Sequence, residues 1–298
     1  MNIVIFGAGA IGSLIGALLN KKNKVTLIGR PHHINEIKKN GLIIEGKTQL
    51  KIKISAEDDI EKLDFSPDLL ILTVKSFDTE PAMRQVKKIS DQNTIFLSLQ
   101  NGLDNIEKIE KFIDSRQIIV GTTTHGAFFS KSGCIVHTGI GSTFLGELNG
   151  MKTDRLEKII DIFNKSSIKT DFSKNIIKEV WIKAIINSSI NPLTTIFRCR
   201  NGYLLENPIL EKIVEKICFE STNVAKNYGI CIQQNFSLNK TKKVIRFTSD
   251  NYSSMFQSIR KCKKTEINSI NGKIVEIGKK HSVDVSLNKI LVKIVTSI

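Results

Sequence analysis

The stretch Ile3-Val4-Ile5-Phe6-Gly7-Ala8-Gly9-Ala10-Ile11-Gly12 decides the reading of the first half of the chain. A short apolar run leads into Gly-x-Gly-x-x-Gly, and an apolar segment from Ile11 to Leu19 follows. Strand, glycine turn and helix in that order form the fingerprint of a dinucleotide-binding fold. Gly7 permits the tight turn, Gly9 lets backbone approach a pyrophosphate, and Gly12 lets the helix pack closely on the strand. The helix start offers free N–H groups and the positive end of its dipole to phosphates. Gly7, Ala8, Gly9, Ala10, Ile11 and Gly12 are therefore the expected cofactor loop.

Outward from that loop, residues 25–28 read as a second strand, and 69–74, 94–99 and 118–122 as further apolar strands. Residues 42–44 and 51–54 suggest a small hairpin or a βαβ insertion. Two β-like pieces around Gly139 and Gly141, within 134–147, suggest an antiparallel hairpin at the sheet edge. Residues 156–163 are expected to be helical and 168–170 to form a last strand. Apolar strands alternating with helices indicate a parallel sheet covered on both faces. From Lys174 onward the pattern is helical. Asn207-Pro208 supplies a cap and a proline at the first helical position. That helix is predicted to run to Asn227 and to stop at Gly229. A second long helix is predicted from Ser253. The expected class is α/β: a Rossmann-type, doubly wound parallel sheet over residues 1–172 and an all-helical C-terminal domain over 173–298.

The cofactor type is read from the second strand, which ends Thr26-Leu27-Ile28-Gly29-Arg30. A site preferring NAD places a carboxylate there. Here Gly29 leaves room for a 2′-phosphate and Arg30 can grip it with a bidentate fork, with His32 and His33 as possible helpers. The expected cofactor is NADPH/NADP. In doubly wound sheets ligands bind beyond the carboxyl ends of the strands. Lys75 and Asn101 stand at two such ends. His125, with Ala127 just beyond, ends another, and fits either a catalytic acid or a packed histidine. Packing is favoured because no partner carboxylate is evident.

Residues 179–191 read Glu-Val-Trp-Ile-Lys-Ala-Ile-Ile-Asn-Ser-Ser-Ile-Asn. Lys183, Asn187 and Asn191 lie at i, i+4 and i+8, on one face of an otherwise apolar helix. Asparagine has no propensity reason to recur there. Pro192 is expected to end or kink this helix. An ammonium flanked by two carboxamides suits ketone reduction: it stabilises the developing alkoxide and supplies the proton. Partial burial would lower its pKa toward a useful range. Further on, Ser254-x-x-Gln257 reads as a capping box, at a helix start where a substrate carboxylate can bind. Glu266 falls on the stripe Met255, Ile259, Cys262, Glu266 and Ile270, so a buried carboxylate with a specific partner is expected.

Composition bounds these readings. Hydrophobic residues are 41% and charged residues 24% of the 298, which excludes disordered and fibrous classes. No apolar run approaches the roughly 20 residues that span a bilayer, and no signal peptide is expected. The five cysteines are scattered, with no CxxC pair. A cytoplasmic, reduced location without a metal site is expected. The net charge of +15 comes mostly from dispersed lysines. It reads as a compositional bias that draws in anionic small molecules, not as a specific nucleic-acid surface. The expected partner is a small 2-keto acid, and the expected assembly a monomer or homodimer.

Taken together, GAGAIGSLIG, TVKSFDT, QNGLDN, GTTTHGA, KAIINSSINPLTTIF, RNGYLLEN and SSMFQSIRKCKKTEINSING resemble the ketopantoate reductase (2-dehydropantoate 2-reductase) family over essentially the whole length. The resemblance implies NADPH-dependent reduction of ketopantoate to pantoate, on the way to pantothenate and coenzyme A. It implies a C-terminal domain similar to that of 6-phosphogluconate dehydrogenase. Lys183 matches the family's general acid. Asn187, Asn191, Asn201 and Ser254 match its substrate-binding residues, and Asn101 one that touches cofactor and substrate. The glycine loop, Arg30, Lys75, Ala127 and Glu266 match its cofactor contacts. Paralogues acting on other 2-keto acids also belong to this family. Phe197-Arg198-Cys199-Arg200 is unusually basic just before Asn201.

Overall fold

The structure, a computed structural model, describes residues 1–298. The strands are β1 (Asn2–Phe6), β2 (Lys24–Ile28), β3 (Leu42–Gly46), β4 (Leu50–Ile52), β5 (Ser55–Glu57), β6 (Leu69–Leu72), β7 (Ile95–Ser98), β8 (Ile118–Thr123), β9 (Gly126–Lys131), β10 (Cys134–Gly139), β11 (Thr143–Glu147) and β12 (Thr170–Phe172). The helices are α1 (Ala10–Leu19), α2 (Pro31–Asn40), α3 (Thr79–Val86), α4 (Asn105–Glu110), α5 (Asp154–Lys165), α6 (Ile176–Ile196), α7 (Tyr203–Glu206), α8 (Pro208–Asn227), α9 (Gln234–Phe247), α10 (Ser254–Ile259), α11 (Lys273–Lys280) and α12 (Ser286–Ser297). Two compact units divide them: Met1–Gln100 with Asn105–Ile176, and Asn101–Asp104 with Ile177–Ile298.

The first unit is built on an eight-stranded sheet in the order β12-β11-β8-β7-β6-β1-β2-β5. Every pairing is parallel except β11 with β8. Central strands such as Leu69–Leu72 are buried at all four positions, as continuous apolar runs in a doubly covered sheet require. Ile3, Ile5, Leu14, Ile15, Leu27, Ile71 and Leu97 form its core.

A second sheet, β4-β3-β10-β9, corrects one expectation. β3 and β4 do form an antiparallel pair. β10 and β11, however, are not a hairpin: β10 pairs with β9 and β3, while β11 joins the large sheet beside β8. Gly141, between them, serves a crossing. A Cβ on Gly141 would lie 2.3 Å from the Thr124 carbonyl carbon, so only glycine fits against that backbone.

The second unit is helical, with a core that includes Trp181, Ile185, Leu204, Val214, Ile217 and Ile274. α8 starts where Asn207 accepts from the Ile209 and Leu210 N–H groups, with Pro208 next, and the chain leaves it at Gly229 with φ +95°. Pro192 does not end α6, which continues through it to Ile196. One other expectation fails. The segment from Ser253 gives only the six-residue α10, a loop with Cys262 at φ +48°, a π-turn over Asn268–Gly272, and then α11. The stripe from Met255 to Ile270 is therefore not one helix face, and Cys262 is exposed. No helix is long and apolar enough to cross a membrane.

Candidate functional site

In the first unit, the turn after β1 is fixed by backbone. The N–H groups of Gly7 and Ala8 both donate to the Ile28 carbonyl, at 3.0 and 2.8 Å. Gly7 has φ +112°, and a Cβ there would stand 2.6 Å from the Val74 nitrogen. A Cβ on Gly12 would stand 2.3 Å from the Gly7 oxygen. Gly9 differs: the nearest atom to its added Cβ is 3.9 Å away. Gly7 and Gly12 are thus needed by the fold, and Gly9 leaves open space at the start of α1. That start carries no side-chain cap and no acidic residue in its first turn. Its N–H groups remain available to a phosphate, so the loop fits a dinucleotide.

Arg30 is exposed, as the residue that caps α2. Gly29 has a packing role: its added Cβ would lie 2.7 Å from the Ala8 Cβ. His32 is exposed beside Arg30. His33, expected as a helper, is turned inward and 2% exposed. Its Nδ1 accepts from the Gly133 N–H at 3.0 Å, so Nε2 carries the proton and donates to Ser13 Oγ at 3.1 Å. Burial first, and the His32 charge second, lower its pKa to about 4. It is neutral near pH 7 and adds no charge beside Arg30.

Lys75 follows β6 and is half-buried. Ala127 lies in β9, opposite His137. His125 is buried. His137 Nε2 lies 3.0 Å from the Gly139 carbonyl and must donate to it, so His137 Nδ1 accepts from Thr48 Oγ1 at 2.9 Å. His125 Nδ1, 3.2 Å from His137 Nε2, is then an acceptor. Burial, followed by the His137 charge, lowers the His125 pKa to about 4. It is a packed, neutral histidine.

The second unit gathers the other residues. From Trp181 to Thr195, every residue of α6 is buried except Lys183 and Asn187, which are half-buried. Asn191, on the same line, is 6% exposed. α6 is tied to the start of α10 by Thr194 Oγ1, which donates to Ser253 Oγ at 2.7 Å. Ser253 is also the helix cap, accepting from the Phe256 N–H. This corrects the capping box: Ser254 is the first helical residue and exposed, and Gln257 Nε2 donates to the Tyr252 carbonyl. Asn201 donates through Nδ2 to Thr248 Oγ1 at 2.9 Å, while its Oδ1 is buried without a partner. Glu266 is 6% exposed and accepts from Asn101 Nδ2 at 3.5 Å. Asn101 itself belongs to this unit. Ser269 and Asn271, on the π-turn, carry hydrogen bonds to the Asn101–Asp104 segment and to α6. No local signal in the sequence marks either one.

Comparison with known proteins places this arrangement. The family described as Ketopantoate reductase PanE/ApbA matches residues 3–150, and its C-terminal counterpart matches residues 175–298. A 2-dehydropantoate 2-reductase of Pyrococcus horikoshii is 40% identical over 295 residues, covering 98% of this chain and 95% of that protein. The chain belongs to the ketopantoate reductase family. Among solved structures, a D-mandelate dehydrogenase with NADH and anilino(oxo)acetate superposes with a TM-score of 0.95 at 29% identity, covering 100% of this chain and 98% of the other. A PanE/ApbA family ketopantoate reductase from Ralstonia eutropha JMP134 gives 0.91 at 26% identity, with 100% and 98% covered. Membership makes the chain an oxidoreductase of Rossmann type, whose glycine loop and polar α6 line fall in the two matched parts.

Proposed function

We propose that the protein reduces 2-dehydropantoate to pantoate with NADPH, a step toward pantothenate and coenzyme A. The observation that carries this reading is the α6 line, where Lys183 and Asn187 alone stay half-buried in a stretch otherwise buried from Trp181 to Thr195. Ketone reduction adds a hydride to carbon and a proton to oxygen, and the bound cofactor supplies the hydride. Lys183 holds an ammonium toward the carbonyl oxygen, stabilises the charge that grows there, and delivers the proton. Asn187 and Asn191 orient the polar groups of the substrate. Asn201 offers its unpartnered Oδ1 to a substrate hydroxyl, and Ser254 holds the carboxylate.

For the cofactor, residues 7–12 cradle the pyrophosphate and Arg30 takes the 2′-phosphate. Lys75, Asn101, Ala127 and Glu266 complete the contacts. Residues 1–172 thereby serve chiefly the cofactor and 173–298, Glu266 apart, the substrate. The 40% identity to a 2-dehydropantoate 2-reductase supports this substrate. A second reading, reduction of an aryl 2-keto acid, is favoured by the TM-score of 0.95 to a D-mandelate dehydrogenase.

Loss of NADPH absorbance tests both, with 2-dehydropantoate and phenylglyoxylate in parallel and Lys183→Ala as control. Turnover of 2-dehydropantoate is expected, reduced about 100- to 10,000-fold in the variant. Turnover of phenylglyoxylate alone would shift the substrate class. NADPH binding with no oxidation by either acid would overturn the reductase reading.

A further inference from the structure

The π-turn Asn268–Gly272 departs from a regular helical ladder. The Gly272 N–H donates to the Ile267 carbonyl at 2.9 Å, and the Lys273 N–H donates to Ile270 rather than to Ser269. The Ser269 carbonyl accepts from another part of the chain, the Leu103 N–H, at 2.9 Å. The Ser269 hydroxyl donates to Asp104 Oδ2 at 3.1 Å. One residue therefore grips two successive residues of the Asn101–Asp104 segment, once through main chain and once through side chain. The segment turns at Gly102, with φ +105°, and begins at Asn101, whose Nδ2 is 3.5 Å from Glu266 Oε2. Glu266 lies three residues before Ser269, and its own carbonyl accepts the Ser269 N–H at 3.1 Å. Ser269 is 5% exposed, so water does not compete for these bonds. Breaks of this kind in a helix are frequent at functional sites because they free backbone groups for other partners.

We propose that Ser269 is a positioning residue. Its two-point grip fixes the Asn101–Asp104 segment and thereby sets the Asn101 carboxamide beside Glu266 for the ligand they share. This rests on the reading above, in which both residues contact the cofactor. A purely structural tether would cost stability whatever stood at position 101. A positioning role works through Asn101 and vanishes with it.

The test is a double-mutant cycle on the full chain: wild type, Ser269→Ala, Asn101→Ala and the double variant. Each is measured for kcat/KM with NADPH and 2-dehydropantoate, for NADPH affinity, and for amide hydrogen exchange of residues 101–104 without ligand. Ser269→Ala is expected to speed exchange at Leu103 and Asp104 by about tenfold and to lower kcat/KM by about tenfold. In the Asn101→Ala background the same change should alter kcat/KM by less than about twofold. A Ser269 effect of full size in that background overturns the proposal, as does unchanged exchange. If the wild type oxidises no NADPH with any keto acid, the functional reading fails on its own. The cycle is then read in NADPH affinity, where coupling supports the grip and additivity overturns it.

Discussion

Asn271 Nδ2 donates to the Ser188 carbonyl at 3.1 Å, and that is the carbonyl which Pro192, four residues on, has no N–H to reach. A proline inside a helix leaves the carbonyl at i−4 without its partner. Here a fully buried side chain from the π-turn supplies the missing donor. The same amide donates to Asn288 Oδ1 at 2.9 Å, and Asn288 in turn donates to Glu220 Oε1 at 2.7 Å. The repaired site lies between Asn187 and Asn191, on the helix that bears the polar line.

Asn271→Ala should therefore lower stability by about 2–4 kcal/mol, because it leaves buried acceptors without donors. Pro192→Ala in that background should recover about 1 kcal/mol, since the new amide can take the Ser188 carbonyl. Urea unfolding of the four proteins measures both. If the two changes simply add, Asn271 is not serving that carbonyl.

The glycine loop separates space needed by the fold from space left for a ligand. Gly12→Ala places a Cβ 2.3 Å from the Gly7 oxygen and 2.5 Å from Thr73 Oγ1, a backbone clash expected to cost about 2 kcal/mol or more. Gly9→Ala meets nothing closer than 3.9 Å, so its melting temperature should stay within about 2 °C of wild type. Its NADPH affinity should nevertheless drop by about tenfold or more, because the methyl occupies the approach to the pyrophosphate. Thermal melts with NADPH titration decide. Equal destabilisation by the two substitutions would contradict the division.

How much of this was legible depends on the range of the determining contacts. The buried strands and the capped α8 are written locally, in apolar runs and in Asn207-Pro208. β9 carries no local signal, because Gly126–Lys131 is half-buried to exposed and makes sense only beside β10. The passage of α6 through Pro192 depends on a residue 83 positions from Ser188. His33 lies in the helix that Arg30 caps, yet the turn of α2 sends it inward to Ser13 and Gly133. The polar line on α6 was readable because its spacing is that of one helix face. The roles of Ser269 and Asn271 were not, because a serine and an asparagine in a helix carry no mark of distant partners.

Arg30 provides a test of cofactor choice that is separate from stability. It is exposed, so Arg30→Ala should leave the melting temperature unchanged. Loss of a charge-assisted grip on a 2′-phosphate should weaken NADPH binding by about 10- to 100-fold. NADH, lacking that phosphate, should bind as before. Fluorescence titration with both cofactors makes the comparison, and an equal loss for the two would show that Arg30 does not read the phosphate.

The buried histidines predict how stability depends on pH. His33 and His125 both have pKa values lowered from 6.5 to about 4, mainly by burial. Between those values the unfolded chain binds more protons than the folded one, so stability rises with pH. The neutral rings cost nothing above pH 6.5 and progressively more as pH falls through 6.5 toward 4. At pH 4 the loss is roughly 3 kcal/mol for each ring. His33→Gln should lower stability at pH 7, since the bonds to Ser13 and Gly133 are disturbed. It should also flatten the decline between pH 7 and 4 by roughly one ring's share. Urea midpoints across that range give the slope. A decline as steep in His33→Gln as in wild type would mean that His33 is already protonated in the folded protein.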